Sequence, residues 1–256
     1  MPRFVLTALV FLGAVPALIY AGLTLAFRAD MIELGTLFGT LLGPNRTLGW
    51  LIIALLAAAV LEIVLAVVSV VMKRASFGGL ALALGVISLA MALGPIQMFQ
   101  TARSEGVPPI HDITTDVQDP PAFIATAAMR TEGMNPPEYD TEQTAQQLEA
   151  YPDLVPIQVK ASPAEAYKAS LMAMKAIGIM IMEADEEAGR VEGTATTRWF
   201  GFKDDVVVRV RPAAEGGSII DIRSKSRIGR SDIRANTDRI RELRRMILSD
   251  LGEDAS

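Results

Sequence analysis

Apolar positions fall in uninterrupted blocks over the first hundred residues: Phe4 to Phe27, Leu48 to Met72 and Phe77 to Phe99, runs of 24, 25 and 23 residues. At a helical rise of about 1.5 Å per residue, each is long enough to cross a hydrocarbon core of about 30 Å. Beyond Arg103 the blocks give way to apolar residues at helical or strand spacing. The pattern therefore predicts three transmembrane helices over residues 1–100, ahead of a part that builds its own core.

That second part has two sections. Residues 101–156 form a proline-rich lead-in expected to pack on the section after it, with eight of the fourteen prolines between Gly106 and Pro156. Proline lacks an amide donor and biases its predecessor towards extended backbone, so long regular elements are not expected there. Residues 157–256 read as α+β. Ile157 to Ala161 is a short strand. Ser162, Pro163 and Glu165 then form a helix start with a capping box, Tyr167, Leu171 and Met174 share one face, and Gly178 ends the helix. Four strands come next, at Ile179 to Asp185, Arg190 to Phe200, Asp205 to Arg211 and Ser218 to Ile228, joined by glycine-containing turns. A last helix, Ser231 to Leu251, carries Ile233, Ile240, Leu243, Ile247 and Leu251 on one stripe. The order β-α-β-β-β-β-α with short connections predicts an antiparallel sheet with packed helices, by analogy a helix-grip or TATA-binding-protein-like (TBP-like) unit.

Alternation in the last strand sorts its side chains. Ile219, Asp221, Arg223, Lys225 and Arg227 share one face, and Ile220, Ile222, Ser224, Ser226 and Ile228 the other. The charged set is expected to be wet. On the helix side, the serines and the small residues Gly193, Ala195 and Thr197 leave two readings open: a ligand cavity between sheet and helix, or a close helix approach. Asp204 and Asp205, being adjacent, point to opposite faces and do not form a carboxylate pair for acid–base work; Asp205 is expected to pair with an arginine such as Arg209 or Arg223.

Charge sharpens this picture. The net charge is −5, but residues 103–197 carry 6 basic and 16 acidic residues, whereas residues 198–245 carry 13 basic and 7 acidic. Strand alternation commits many of those arginines to one sheet face, so no nucleic-acid partner is expected. With no cysteine, thiolate metal sites, disulfides and cysteine nucleophiles are excluded, and the single histidine, His111, confines imidazole chemistry to one position. Arg3 beside the first run and Lys73 with Arg74 between the second and third place those ends in the cytoplasm. The expected location is a bacterial inner membrane with the α+β part in the periplasm. Glu62 near the centre of the second run reads either as part of a proton or ion path or as an acid hydrogen-bonded within the bundle. Gly35, Gly39 and Gly43 read either as a helix-packing ridge or as glycines of an interfacial loop.

Within the lead-in stands HDITTD, His111 to Asp116. This motif, followed by DPPAF, WFGFKDDVVVRVRP and IDIRSKSRIGRSD, resembles the domain of unknown function 1499 family over about Gly106 to Leu248. The resemblance implies no established activity, cofactor or site. The residues themselves offer three candidate groups. His111, Asp112 and Asp116 read as structural caps of an irregular segment or as one imidazole and two carboxylates for a metal or a hydrolase-like reaction; no metal and no cofactor is expected. Trp199, Phe200, Phe202, Lys203 and Asp205 form an aromatic, charged turn suited to recognition. Arg223, Ser224, Ser226, Arg227, Arg230 and Asp232 form a polar edge. The functional expectation is a membrane-anchored module that binds a lipid or another apolar or anionic small molecule. The alternatives are an envelope protein that docks an acidic partner, and an enzyme using His111 and a nearby Asp.

Overall fold

The computed structural model of the protein describes residues 3–29, 31–33, 37, 50–73, 75–104, 106–198, 200–231 and 233–253. Trp199, Asp232 and the three glycines Gly35, Gly39 and Gly43 lie outside the described residues. The chain divides into two compact units, Met1–Ser104 and Glu105–Ser256.

The first unit consists of α1 (Arg3–Arg28), α2 (Trp50–Val71) and α3 (Ala75–Ser104). All three contain stretches long and apolar enough to cross a membrane: Phe4–Arg28, Trp50–Val71 and Phe77–Gly94. Their mutual packing buries Leu6, Val10, Leu65, Ala66 and Ala81, while Phe11, Leu18, Val60, Val67 and Val86 stay exposed on the outside. Outward apolar residues around an apolar interior suit a bundle whose solvent is lipid.

The second unit is a six-stranded antiparallel sheet with helices on one face. Its strands are β1 (Asp112–Thr114), β2 (Ile157–Val159), β3 (Met180–Asp185), β4 (Arg190–Thr196), β5 (Lys203–Pro212) and β6 (Ser218–Ser226). The order is β1-β6-β5-β4-β3, with β2 also pairing β6 beside β1. From β2 onward the chain runs β-α-β-β-β-β-α as the pattern predicts; β1 is an additional strand, contributed by the lead-in. That lead-in, termed the strap, also holds two one-turn helices, Ala127–Met129 and Thr141–Gln143, and α4 (Thr144–Ala150).

Against the sheet lie α5 (Pro163–Ala176) and α6 (Ala235–Leu251). The start of α5 is fixed by the predicted capping box: the Glu165 amide donates to Ser162 Oγ, and Glu165 accepts from the Ser162 amide. The core between sheet and helices contains Tyr167, Met174, Val191, Val206, Val208, Ile220, Ile222, Ile240, Leu243 and Ile247, joined by Ile110, Ile113, Tyr151 and Leu154 from the strap. Of the small residues on the helix side, Gly193 in β4 belongs to a close approach. A Cβ placed on Gly193 would lie 2.6 Å from Ile179 Cγ2 and 2.7 Å from the Met180 carbonyl oxygen, with Met174 Cε at 3.3 Å. At this position the space that glycine frees is filled by α5 and the start of β3.

Candidate functional site

The charged face of β6 is not wet. Asp221, Arg223, Lys225 and Arg227 are all buried, with Arg223 only 2% and Lys225 1% exposed. They lie beneath the strap. Alternation identified which side chains share this face, but the cover comes from a segment more than seventy residues upstream whose prolines hide any period. Arginine and lysine carry only donors, and an extended proline-rich segment offers carbonyl acceptors with few amides to compete for them, so the two surfaces complement each other.

β1 sets the first contact. Its register pairs Asp112 with Lys225 and Thr114 with Arg223, which puts Asp112 and Thr114 on the strap side and turns Ile113 into the core. Asp112 accepts a bidentate pair from Arg223, Nε to Oδ1 and Nη2 to Oδ2, both 2.8 Å, and lies 3.0 Å from Lys225 Nζ. The remaining donors reach strap carbonyls: Arg223 to Pro121 at 3.1 Å and Pro137 at 3.0 Å, Lys225 to Glu138 at 2.5 Å. Phe123 and Tyr139 flank the Arg223 guanidinium, their ring centres 4.6 and 5.4 Å from Cζ. Burial disfavours the Asp112 carboxylate, but the bonds and charge of Arg223, with those of Lys225, outweigh it and hold the carboxyl below the usual range. Lys225 titrates below an ordinary lysine, because burial outweighs the attraction of Asp112.

A second cluster is centred on Asp205. It accepts from Arg227 Nε at 2.9 Å and Nη2 at 2.7 Å, and Arg130 Nη2 of the strap lies 2.8 Å away. The expected partners were Arg209 or Arg223. Register explains the difference: Asp205 lies opposite Lys225, with Arg223 and Arg227 two residues to either side, and Arg223 is taken by Asp112. Arg209 turns to Asp221, at 3.0 Å, which Arg211 also reaches at 2.9 Å. At the far side Glu192 accepts from the amides of Ile124 and Thr126 at 2.8 and 3.0 Å. Arg130, Arg209, Arg211, Arg223, Lys225 and Arg227 share three fully buried carboxylates, Asp112, Asp205 and Asp221, and strap carbonyls take up further donors.

The three candidate groups have separate fates. In the first, Asp112 is spent on Arg223 and Lys225, and Asp116 caps the amides of Gln118 and Asp119 at 3.0 and 2.9 Å and lies 3.1 Å from Arg211 Nη2. His111 is gripped at both ends by Gln143, which accepts from its amide at 2.9 Å and lies 3.2 Å from its Nδ1. Among the described residues no three His or acidic side chains come together as a metal-ligand group. In the second group, Phe200 is buried and its ring centre is 5.6 Å from that of Phe202. Gly201, with φ 76°, makes the tight turn around which Thr197 and Phe202 bond, and the Lys203 carbonyl accepts from the Arg227 amide at 3.0 Å. In the third, Ser224 and Ser226 face α6: Ser224 Oγ donates to Asn236 Oδ1 at 2.7 Å, and Asn236 Nδ2 donates to Ser226 Oγ at 3.0 Å. Arg239 joins them, donating to Ser224 at 2.8 Å and to Asp204 at 2.8 Å. The serines are therefore a polar seam between sheet and helix. Arg230 is exposed.

Arg130, Lys225, Asp221, Glu192 and Gln147 belong to this layer and are absent from the three candidate groups. Gln147, fully buried, mimics a strand: its Oε1 accepts from the Thr114 amide at 3.1 Å and its Nε2 donates to the Thr114 carbonyl at 2.7 Å. The only available signal was charge complementarity, since Arg130 is a lone base within an acidic segment and the acidic half precedes a basic one.

His111 yields a pH prediction. Burial, then the charge of Lys225, pushes its pKa below the usual value, with Asp112 and Asp140 opposing. The folded state therefore binds the proton less well than the unfolded chain. The contribution to stability is full above about pH 6.5 and is lost as pH falls through the lower folded value, at no more than about 1.4 kcal/mol per pH unit. Urea titrations should show this slope on the acid side of pH 6.5, and a His111→Asn variant should lack it while keeping the steeper loss at lower pH, where carboxylates protonate. An unchanged slope in that variant would reject the assignment.

Compared with known protein families, residues 112–247 match the model described as "Protein of unknown function (DUF1499)", a span from the first residue of β1 into α6. No curated protein matches the chain.

Proposed function

We propose, from the premise that the chain belongs to the DUF1499 family of proteins of unknown function, that it is a membrane-anchored binding module of the bacterial envelope rather than an enzyme. Its folded unit lies outside the cytoplasm, and its partner is a protein segment that adds to the outer edge of β3. Three candidate membrane spans and the positive charges at Arg3, Lys73 and Arg74 support the placement.

The observation that carries the reading is the exposed apolar edge of the sheet. Among the described residues β3 pairs only with β4. Along it Met180 is 68% and Met182 38% exposed, with Met172 of α5 59% exposed nearby in sequence. Methionine side chains adapt to varied apolar partners, and an unpaired strand edge accepts an extended peptide through main-chain hydrogen bonds. The register shift between Ile181 and Glu183 and the acids Glu183, Asp185, Glu186 and Glu187 discourage pairing of the edge with a second copy of itself. They favour an apolar segment carrying Lys or Arg. An acidic partner docked on Arg223 and Arg227 has no access to those side chains. Gly193, pressed against α5, leaves the reading of a lipid held between sheet and helix with less support than the edge.

The test uses the full chain in native membranes. A photoreactive amino acid at Met180 or Met182 should capture one discrete partner, the same band should be missing from a probe at exposed Glu149 of α4, and Met182→Asp should abolish it. No adduct at the edge, together with a thermal shift on a panel of lipids, would overturn the reading in favour of a lipid ligand. Placement is tested separately. Because the chain has no cysteine, Ser249→Cys should react with a membrane-impermeant maleimide on intact spheroplasts, and protection until lysis would contradict an extracytoplasmic unit.

A further inference from the structure

α2 turns one stripe inward: Leu51, Ile52, Leu55, Ala58, Ala59, Glu62, Leu65, Ala66 and Ser69 are buried, while Ile53, Val60, Val64 and Val67 face out. Every buried member but two is apolar, and Glu62 is fully enclosed. Glycines make its room. A Cβ on Gly13 of α1 would lie 2.0 Å from Glu62 Oε1, and one on Gly85 of α3 would lie 3.2 Å from Glu62 Cβ and 3.4 Å from the Ala59 carbonyl oxygen. The carboxyl is thus seated against the backbone of α1 while its stem passes the backbone of α3. Neither oxygen has a hydrogen-bond partner among the described residues. Among the described residues neither the internal hydrogen bond that would make this an ordinary satisfied acid nor an ion pair to a cation is found.

A carboxylate without a counter-charge at membrane depth is among the most unfavourable groups a bundle can hold, and a protein escapes that cost by neutralising the group. We propose that Glu62 is a proton-binding site of the membrane unit. It holds its proton at neutral pH, and the two glycines leave the room that the carboxyl and its stem occupy. This stands apart from partner binding at β3, since it concerns the membrane unit alone.

The test is carbodiimide labelling of the full-length protein in lipid nanodiscs. A protonated carboxyl in an apolar site adds its O–H across one C=N bond of dicyclohexylcarbodiimide, and the O-acylisourea rearranges to a stable N-acylurea. Peptide mass spectrometry at pH 7 should find the adduct on Glu62 in at least about tenfold excess over any water-exposed acid, as expected for a neutral acid in hydrocarbon. It should fall as pH is raised, and Glu62→Gln should remove it. Because the amide is nearly isosteric and uncharged, Glu62→Gln should also melt within a degree or so of the unmodified protein at pH 7 and lose the destabilisation the unmodified protein shows at alkaline pH. An unlabelled Glu62 beside labelled exposed acids would overturn the proposal. So would labelling suppressed by added Na⁺ or K⁺ at constant pH, since the group would then bind a metal cation rather than a proton.

Discussion

Asp112→Ala should lower the stability of the second unit by about 3–5 kcal/mol, the cost of removing one partner from a buried ion pair. A domain of this size is held by about 5–15 kcal/mol, so the variant will be near unfolding at room temperature. The size of the loss comes from the charges left behind. Arg223 and Lys225 stay enclosed, each deprived of its carboxylate, while the strap carbonyls of Pro121, Pro137 and Glu138 supply only dipoles. The denaturant midpoint should fall with little change in slope, because the buried surface hardly alters. Asp112→Ala combined with Arg223→Met should be more stable than Asp112→Ala alone, since the second change removes one of the two stranded charges and replaces it with an apolar side chain between Phe123 and Tyr139. Additive losses would show that the pair is not coupled.

A chain beginning at Gly106 should unfold in a single cooperative transition, whereas one beginning at Ile157 should have none. The second start keeps five of the six strands and both long helices, and would be sufficient if the strap were a linker. It removes Ile110, Ile113, Tyr151 and Leu154, four buried members of the main core, along with β1 and α4. Truncating one buried Leu or Ile typically costs about 2–5 kcal/mol, so losing four large core side chains exceeds the stability available. Near-ultraviolet circular dichroism and a denaturant titration decide the matter, and a sigmoidal transition in the shorter chain would show that the strap is dispensable.

Both expectations concern the strap, the part of the fold least legible in the sequence. Local signals carried the other elements: the Ser162 box, the four alternating strands from β3 to β6 and the stripe of α6 were all readable, because each depends on residues within about ten positions of one another. Alternation also separated Asp204 from Asp205 correctly, one reaching Arg239 and the other Arg227. It assigned the charged face of β6 to water because period two shows which residues share a face and not what lies over it. The cover is an irregular, proline-rich segment whose contacts depend on carbonyl positions, and no residue type announces those. β1 was missed for a related reason. Three residues between prolines show no period, and Asp112 looked like a cap when it is half of a bidentate pair spanning 111 positions. The uneven charge of the two halves did hold the information, since an acidic segment followed by a basic one can fold onto itself as readily as it can recruit a partner.

The strap covers a buried ionic layer and is expected to unfold with the sheet, which native-state hydrogen exchange tests most directly. The amides of Thr114, bonded to Gln147, of Thr115, bonded to the Ile222 carbonyl, and of Ser226, bonded to the His111 carbonyl, report on the strap and its seam. They should exchange only through global opening, with the same free energy as the central amides of β5 and the same denaturant dependence. Exchange of Thr114 and Thr115 at a free energy well below that of β5 would mean that the strap opens by itself over a stable sheet, and would contradict the account.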